Sequence, residues 1–321
     1  MRVLVTGGCG FLGSHMVAKL VEASHDVVVV DDLWTGRTCN LERLLGPKWS
    51  EKLEFFNYDV SKPGLVKMFM REFDQIIHMA SPASPPVYMS DPVRTMRANF
   101  VGALNLIELL VPGGRFCYTS TSEVYGDPEV SPLPETYRGK VDCTGPRSSY
   151  DESKRATEAL LHELARTEGL QIRCSRIFNA YGPGTKADDG RCVSNFIVAA
   201  LRGERLQVQG DGSQTRCFGF VTDIVEGLYQ YFMHPAPNVP TVMNIGNDHE
   251  VTVLQVAEAI CDLMGAEYEH VPPAPQDPCQ RRPELSRSQE WLPLWNPYSV
   301  SLEDGLERTI EYFRQELKEG R

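Results

Sequence analysis

The chain has 321 residues, 42% of them hydrophobic and 23% charged, the composition of a folded protein of about two domains rather than a disordered one. Forty-three acidic residues against 32 basic ones leave a formal net charge of −11, which opposes binding to a nucleic-acid backbone. The longest apolar run, residues 196–201, falls far short of the roughly 20 residues of a membrane span, and the nine cysteines form neither a CxxC pair nor a zinc-like spacing, so no metal site is expected.

Glycines interrupt the opening segment by residue 7, so it lacks the apolar stretch of a signal peptide. With unpaired cysteines, this points to a reducing, cytoplasmic setting. Residues 2–6 read as a strand, and Thr6-Gly7-Gly8-Cys9-Gly10-Phe11-Leu12-Gly13 follows. Gly8, Gly10 and Gly13 satisfy GxGxxG, while Gly7, Gly10 and Gly13 satisfy GxxGxxG. The pattern alone is weak, but here it follows a strand and opens a helix expected over 11–23, with Phe11, Leu12 and Val17 on one face. Such a loop turns tightly, lets the backbone approach a pyrophosphate and faces the anion with free N–H groups.

Residues 27–31 read as the second strand, ending in Asp31-Asp32. An acid there accepts hydrogen bonds from the adenosine ribose and repels a 2′-phosphate, favouring NAD over NADP, although Arg37 nearby pulls the other way. A third strand is expected at 53–57, and Asp59-Val60 after it either flank the adenine or simply end the strand. A helix at 62–72, a strand at 75–79, a helix at 92–111 and a strand at 115–120 follow, with Thr121 at the end of the last. Tyr150 and Lys154, four residues apart on a helix expected at 148–168, share one face. A free tyrosine has a pKa near 10, and a neighbouring ammonium together with a positive nicotinamide ring would favour its phenolate. Thr121 can hold the same substrate hydroxyl.

A sixth strand at 172–178 completes an alternation that implies an α/β fold, a doubly wound parallel Rossmann sheet. Beyond Gly182 the segments shorten. Helices are expected at 192–202, 222–233, 252–264 and 301–317, and a Pro-rich run extends from Pro272 to Pro283. The expected division is a NAD-binding Rossmann domain over 1–178 plus about 218–245, with a smaller α/β lobe over 179–217 and 246–321, to which the resemblance described next assigns the nucleotide sugar.

The glycine loop, Tyr150-Asp151-Glu152-Ser153-Lys154 and the length resemble the extended short-chain dehydrogenase/reductase superfamily, whose members act on nucleotide sugars. Within it the chain looks most like the UDP-glucuronate decarboxylases. The likeness is carried by residues 78–86 (His-Met-Ala-Ser-Pro-Ala-Ser-Pro-Pro), 120–130, 176–179, 189–191, 193–196 and 212–216, and it covers nearly the whole chain. It makes Thr121, Tyr150 and Lys154 the oxidation trio and Glu123 the acidic catalytic residue. It places Arg281 near the reacting carboxylate and phosphates, and Arg97 where a basic residue meets that carboxylate. Asn105, Asn179, Arg191, Gln209 and Arg216 become candidate contacts to the UDP-sugar. Thr35, Gly36, Met79 and Ser81 join Gly7, Gly10, Phe11, Leu12, Gly13, Asp31, Asp32, Asp59, Val60, Tyr150 and Lys154 as candidate NAD contacts. Two departures bear on nucleotide recognition: Gln209 stands where an aromatic is expected beside the uracil, and Ala180 replaces a commoner threonine.

Several chemistries share oxidation at the sugar's C4 carbon. A 4,6-dehydratase needs a general acid beside the glutamate, typically as Thr-Asp-Glu; here the triplet is Thr121-Ser122-Glu123, and serine is a poor donor at neutral pH. A 4-epimerase has no use for an acid at position 123. A 4-keto glucuronate is a β-keto acid, which loses carbon dioxide readily. Arg281 and Arg97 would hold its carboxylate, and Glu123, through Ser122 or a water, would assist protonation of C5. The reading is therefore redox-neutral conversion of UDP-glucuronate to UDP-xylose with bound NAD. A 4-epimerase, a decarboxylase that releases the 4-keto pentose and a non-catalytic NAD-binding regulator remain alternatives. Blander roles also stay open: Glu123 capping a turn or pairing with an arginine, Arg97 in a surface salt bridge, Arg281 and Arg282 as a solvated pair, and His78 as a structural residue. The resemblance further implies a homodimer through the helices at 92–111 and 148–168, although such helices also pack within a monomer. The amino-terminal membrane anchor of animal relatives has no counterpart, so no membrane partner is expected.

Overall fold

The computed structural model describes residues 1–69, 72–272 and 281–320. Six strands, β1 (Arg2–Thr6), β2 (Asp26–Asp31), β3 (Glu54–Asn57), β4 (Phe73–His78), β5 (Leu110–Thr121) and β6 (Gln171–Ile177), join an edge strand, Val242–Ile245, in one sheet. The order is edge strand, β6, β5, β4, β1, β2, β3. The pairs β1–β2, β1–β4, β2–β3 and β4–β5 are parallel. Val27, Val28, Val29 and Val30 in β2 are all buried, which is why this run of apolar residues does not alternate with polar ones: both faces are covered. Leu4, Val28, Ile76, Phe116 and Tyr118 belong to one core cluster on this sheet.

Seven helices belong to the same part of the chain: α1 (Phe11–Glu22), α2 (Thr38–Leu45), α3 (Leu65–Met68), α4 (Pro85–Ser90), α5 (Pro92–Met96), α6 (Gly102–Ile107) and α7 (Ser148–Glu168). The strand order reverses between β1 and β4, the switch point at which doubly wound sheets bind ligands beyond their carboxyl ends. Thr6 and His78 end those two strands, with Thr6 Oγ1 2.8 Å from His78 Nδ1.

Two expectations are corrected. The helix expected at 62–72 shrinks to α3, because Phe69 turns extended and packs its ring on Phe56 and Phe73, at 4.9 and 5.4 Å between centroids. The helix expected at 92–111 is α5, a π-helical turn Arg97–Val101 and α6, and it ends at Ile107 because Leu110 already pairs with Phe73. Helices α2 and α4 had not been anticipated.

By contacts the chain groups into two units. The first is Met1–Val124, Val141–Arg176 and Leu228–Met243; the second is Tyr125–Lys140, Ile177–Gly227 and Asn244–Arg321. Residues 125–140 thus group with the second unit, unlike in the division drawn from sequence. Within the second unit, strand Leu206–Gln209 pairs with Tyr268–Val271, and Thr215–Cys217 with Glu250–Thr252. Helices Cys192–Leu201, Val253–Met264 and Leu302–Lys318 lie close to their expected positions. Among the described residues no helix is long and apolar enough to cross a membrane, and no cluster of metal-ligating side chains occurs.

Candidate active site

β1 delivers the chain into Gly7, whose φ of +71° suits glycine and whose added Cβ would lie 2.7 Å from the Ala80 nitrogen. A Cβ at Gly13 would lie 2.0 Å from the Gly7 carbonyl oxygen, so α1 packs directly on the loop. Gly10 is the N-cap of α1 and Phe11 and Leu12 open the helix; no side chain caps this end and no acid sits in its first turn. The first amides of α1 are therefore offered to an anion.

The Asp31 carboxylate accepts from Cys9 N at 2.9 Å and Leu33 N at 2.8 Å. Gly36 lies against it, since a Cβ there would be 2.9 Å from either carboxylate oxygen. Asp32 pairs with Arg94 at 2.8 Å, and the Arg94 guanidinium stands 4.1 Å over the Trp34 ring, just before half-buried Thr35. Asp59 accepts from Ser61 N at 2.9 Å, while the carbonyl of buried Val60 accepts from Asn105 Nδ2 at 2.8 Å. Met79 N donates to Thr6 O at 3.1 Å, and Ser81 Oγ to Pro82 O at 3.4 Å. A glycine surface without Cβ atoms, an uncapped helix start and a buried acid at the end of β2 together fit a dinucleotide.

The second group of residues forms around α7. Its four-residue spacing puts Tyr150, Lys154 and Glu158 on one face, and all three are buried. Tyr150 hydrogen-bonds Thr121 at the end of β5. Lys154 Nζ donates to Thr119 O at 2.7 Å and lies 4.8 Å over the Tyr118 ring and 5.7 Å over that of Tyr150. Burial drives the Tyr150 phenol above its ordinary value; the Thr121 hydrogen bond opposes this and the charge of Glu123 adds to it. Burial also pushes the Lys154 ammonium down to about 7, with Glu158 working against the shift. An ammonium-lowered tyrosine was expected from the sequence, but desolvation of both groups outweighs that attraction. Glu158 accepts from Arg176 Nη2 at 2.7 Å and from the Ser120 hydroxyl.

Glu123 follows β5 on the turn Ser122–Tyr125, and its Oε2 lies 2.7 Å from Arg147 Nη2. Of the roles left open for it, pairing with an arginine is the one observed, and the pair stands beside Tyr150. Tyr88, on α4, stacks on the Tyr150 ring with centroids 4.9 Å apart and planes 8° from parallel. Burial raises the Tyr88 phenol to about 12, and the positive charge of nearby Arg147 opposes the rise. Neither Tyr88 nor Arg147 had been singled out. The available signals were slight: Arg147 stands one helical turn before Tyr150, and Tyr88 follows the Ser-Pro-Ala-Ser-Pro-Pro run. His78, pushed down to about 3 chiefly by burial, is a neutral tie between β4 and its neighbours.

The structure does not bring Arg97 into this group: it is exposed on the π-helical turn. The other candidates lie in the second unit. Arg281 is 4% exposed, which removes the solvated-loop reading, and its Nη2 donates to Gly126 O at 3.3 Å. Its neighbours in the Pro-rich run, residues 273–280 with Gln280 among them, lie outside the described residues. Arg191 pairs with Asp189, Arg216 Nη1 donates to Thr215 O at 2.7 Å, and Asn179 O accepts from Gly219 N at 2.8 Å. Gln209 is exposed at the end of its strand and accepts from Gln214 through its carbonyl.

Residues 3–246 match the NAD dependent epimerase/dehydratase family. The chain is 45% identical over 320 residues to UDP-glucuronic acid decarboxylase 1 of Xenopus tropicalis, covering 99% of this chain and 73% of that protein. It is 46% identical over 321 residues to UDP-glucuronic acid decarboxylase 6 of Arabidopsis thaliana, covering 99% and 90%. Among solved structures, the UDP-glucose 4-epimerase of Thermotoga maritima with UDP-glucose superposes with a TM-score of 0.87 at 32% identity, covering 99% of this chain and 100% of that one. The UDP-glucuronic acid 4-epimerase of Bacillus cereus, in complex with UDP-glucuronic acid and NAD, gives 0.87 at 26% identity, covering 98% and 99%. With the glycine loop, the Thr121–Tyr150–Lys154 group and the sheet order in agreement, the chain belongs to the NAD dependent epimerase/dehydratase family, on the branch of the UDP-glucuronic acid decarboxylases.

Proposed function

We propose that this protein converts UDP-glucuronate to UDP-xylose, with NAD bound and regenerated in each turnover. The observation that carries the reading is a carboxylate, Glu123, held by Arg147 beside Tyr150, where a 4-epimerase needs none. Identity along the full chain with proteins named for this activity supports it. Gly7, Gly10, Phe11, Leu12 and Gly13 would hold the pyrophosphate of NAD, and Asp31, Asp32, Thr35, Gly36, Asp59, Val60, Met79 and Ser81 the rest. When bound, NAD supplies the acceptor and donor of hydride at the C4 carbon.

Tyr150 takes the C4 hydroxyl proton while Thr121 holds the oxygen, and a charged Lys154 stabilises the phenolate. With C4 a carbonyl, the C5–C6 bond breaks, its electron pair enters that carbonyl as an enolate, and carbon dioxide leaves. C5 then takes a proton from a water oriented by Glu123, directly or relayed through the Ser122 hydroxyl, which that water reprotonates, and Tyr150 returns its proton to the C4 oxygen. Arg281 and Arg97 are assigned to the charged parts of the substrate, and Asn105, Asn179, Arg191, Gln209 and Arg216 to the remaining UDP-sugar contacts, on the strength of the resemblance.

The test is mass and NMR analysis of UDP-glucuronate incubated with protein and NAD, while absorbance reports NADH. UDP-xylose without lasting NADH is the expected result. Unchanged mass with new stereochemistry would establish the 4-epimerase, the reading favoured by the match to the Bacillus cereus enzyme. Stoichiometric NADH with a 4-keto pentose would mean that the intermediate is released.

The same reading makes the protein a homodimer joined through α5, α6 and α7. Exposed apolar side chains on α4 to α6, Met89 (44%), Val93 (58%), Met96 (46%) and Leu104 (42%), support it. Light scattering should give twice the chain mass, and Val93→Glu should shift it toward the monomer. The reading also places the enzyme in the cytoplasm, which the free thiols of the eight described cysteines support.

A further inference from the structure

Arg147 is assigned no role by the motifs of the sequence. It is the N-cap of α7, one turn before Tyr150, and the carbonyl of Arg147 accepts from Tyr150 N at 3.1 Å. Its guanidinium touches Glu123 at 2.7 Å and faces the Tyr88 hydroxyl, while the Tyr88 ring lies flat on that of Tyr150. The side chains of Arg147 and Glu123 are 23% and 17% exposed, so this pair is largely screened from solvent without being sealed off.

The chemistry of the substrate class narrows what such a cation does. In a uronic acid the carboxylate carbon is bonded to C5, and C5 to C4. A C4 hydroxyl resting at Tyr150 therefore brings the carboxylate to the neighbourhood of the Glu123–Arg147 pair. Lys154 is nearby, but its ammonium is engaged with Thr119 O beneath the Tyr118 ring.

We propose that Arg147 recognises the carboxylate of the substrate, and that Glu123 is its placeholder, displaced from the guanidinium when the sugar binds. This rests on the decarboxylase reading above. A guanidinium presents a planar fork that takes a carboxylate through two parallel hydrogen bonds. A partly buried arginine without a counter-ion is costly, and Glu123 supplies one between turnovers. The incoming carboxylate replaces one negative charge with another, so the local charge balance is kept. The hydroxymethyl group of a neutral hexose cannot make that exchange, which discriminates against UDP-glucose. Once the carboxyl group has left as carbon dioxide, the guanidinium returns to Glu123, and the product no longer has the group that held it there.

The experiment measures the affinity of NAD-loaded protein for UDP-glucuronate and for UDP-xylose, which lacks the carboxylate. It uses a Tyr150→Phe background to stop turnover and compares Arg147→Gln, Arg147→Lys, Glu123→Gln and the Arg147→Gln/Glu123→Gln double variant. Arg147→Gln should weaken UDP-glucuronate by about tenfold or more and UDP-xylose by less than about threefold, with Arg147→Lys in between. Glu123→Gln should tighten UDP-glucuronate relative to UDP-xylose, and the gain should vanish in the double variant. Equal losses for both ligands, or none for either, would overturn the recognition role. A Glu123→Gln gain that survives without Arg147 would overturn the placeholder role. Should Arg147→Gln not fold, Arg147→Lys and Glu123→Gln decide, because both keep a polar partner at the pair: unchanged discrimination in the two overturns the proposal. Failure of protein with Tyr150 intact to form UDP-xylose would instead overturn the underlying reading.

Discussion

Tyr150 and Lys154 are buried side by side, and burial favours the uncharged form of each. For Lys154 this links activity to stability. Its folded-state value of about 7 lies below the unperturbed 10.5. Between those values the unfolded chain binds more protons at this site than the folded one, so its contribution to stability rises with pH. Below the lower value both states are protonated and the cost of the buried charge is constant. Melting temperatures recorded across pH 7 to about 10 should therefore rise less steeply in Lys154→Met than in the unaltered protein. Equal slopes would mean that Lys154 keeps its proton throughout. The chemical trio was legible in sequence because Tyr150 and Lys154 share a helical face and Thr121 ends a strand-like run. Tyr88 and Arg147 were not, because one acts by stacking and the other by pairing with Glu123, and neither kind of contact leaves a periodic trace.

Helix α7 is fixed to the sheet by charge as well as by apolar packing. Glu158 accepts from Arg176 on β6 and from Ser120 on β5, and the side chains are 9% and 14% exposed for Glu158 and Arg176. Removing one partner leaves the other as a buried, uncompensated charge. Glu158→Gln should cost about 3–5 kcal/mol of unfolding free energy, whereas pairing it with Arg176→Met should recover much of that loss. Denaturant titration of the single and double variants checks this; additive losses would show that the two side chains do not act as a pair. The sequence revealed α7 and α1 almost to the residue, since each carries its own periodicity. It did not reveal the π-helical turn before α6, where Asn99 is drawn inward by hydrogen bonds to Thr95 O at 3.2 Å and Ser153 Oγ at 3.0 Å. The shortened α3 has a similar origin, since Phe69 leaves the helix to enter an aromatic cluster.

Each of the two units is assembled from three separated stretches of chain. Residues 125–140 illustrate why sequence patterns did not divide the molecule in the same way. Leu133 N donates to Arg282 O at 2.8 Å, Glu284 N donates back to Leu133 O at 3.0 Å, and Glu135 accepts from Asn244 N at 2.9 Å. Those partners lie more than a hundred residues away, beyond the range of any local pattern. The edge strand Val242–Ile245 is the other late arrival: Thr241 O accepts from Cys174 N at 2.7 Å and Ile245 O from Phe178 N at 2.9 Å. Proteins are synthesised from the amino terminus, so β6 emerges from the ribosome well before the strand that covers its outer side. Through that interval a nascent chain carries a bare strand edge open to neighbouring chains, and any transcript cut short before residue 245 would leave that edge permanently uncovered.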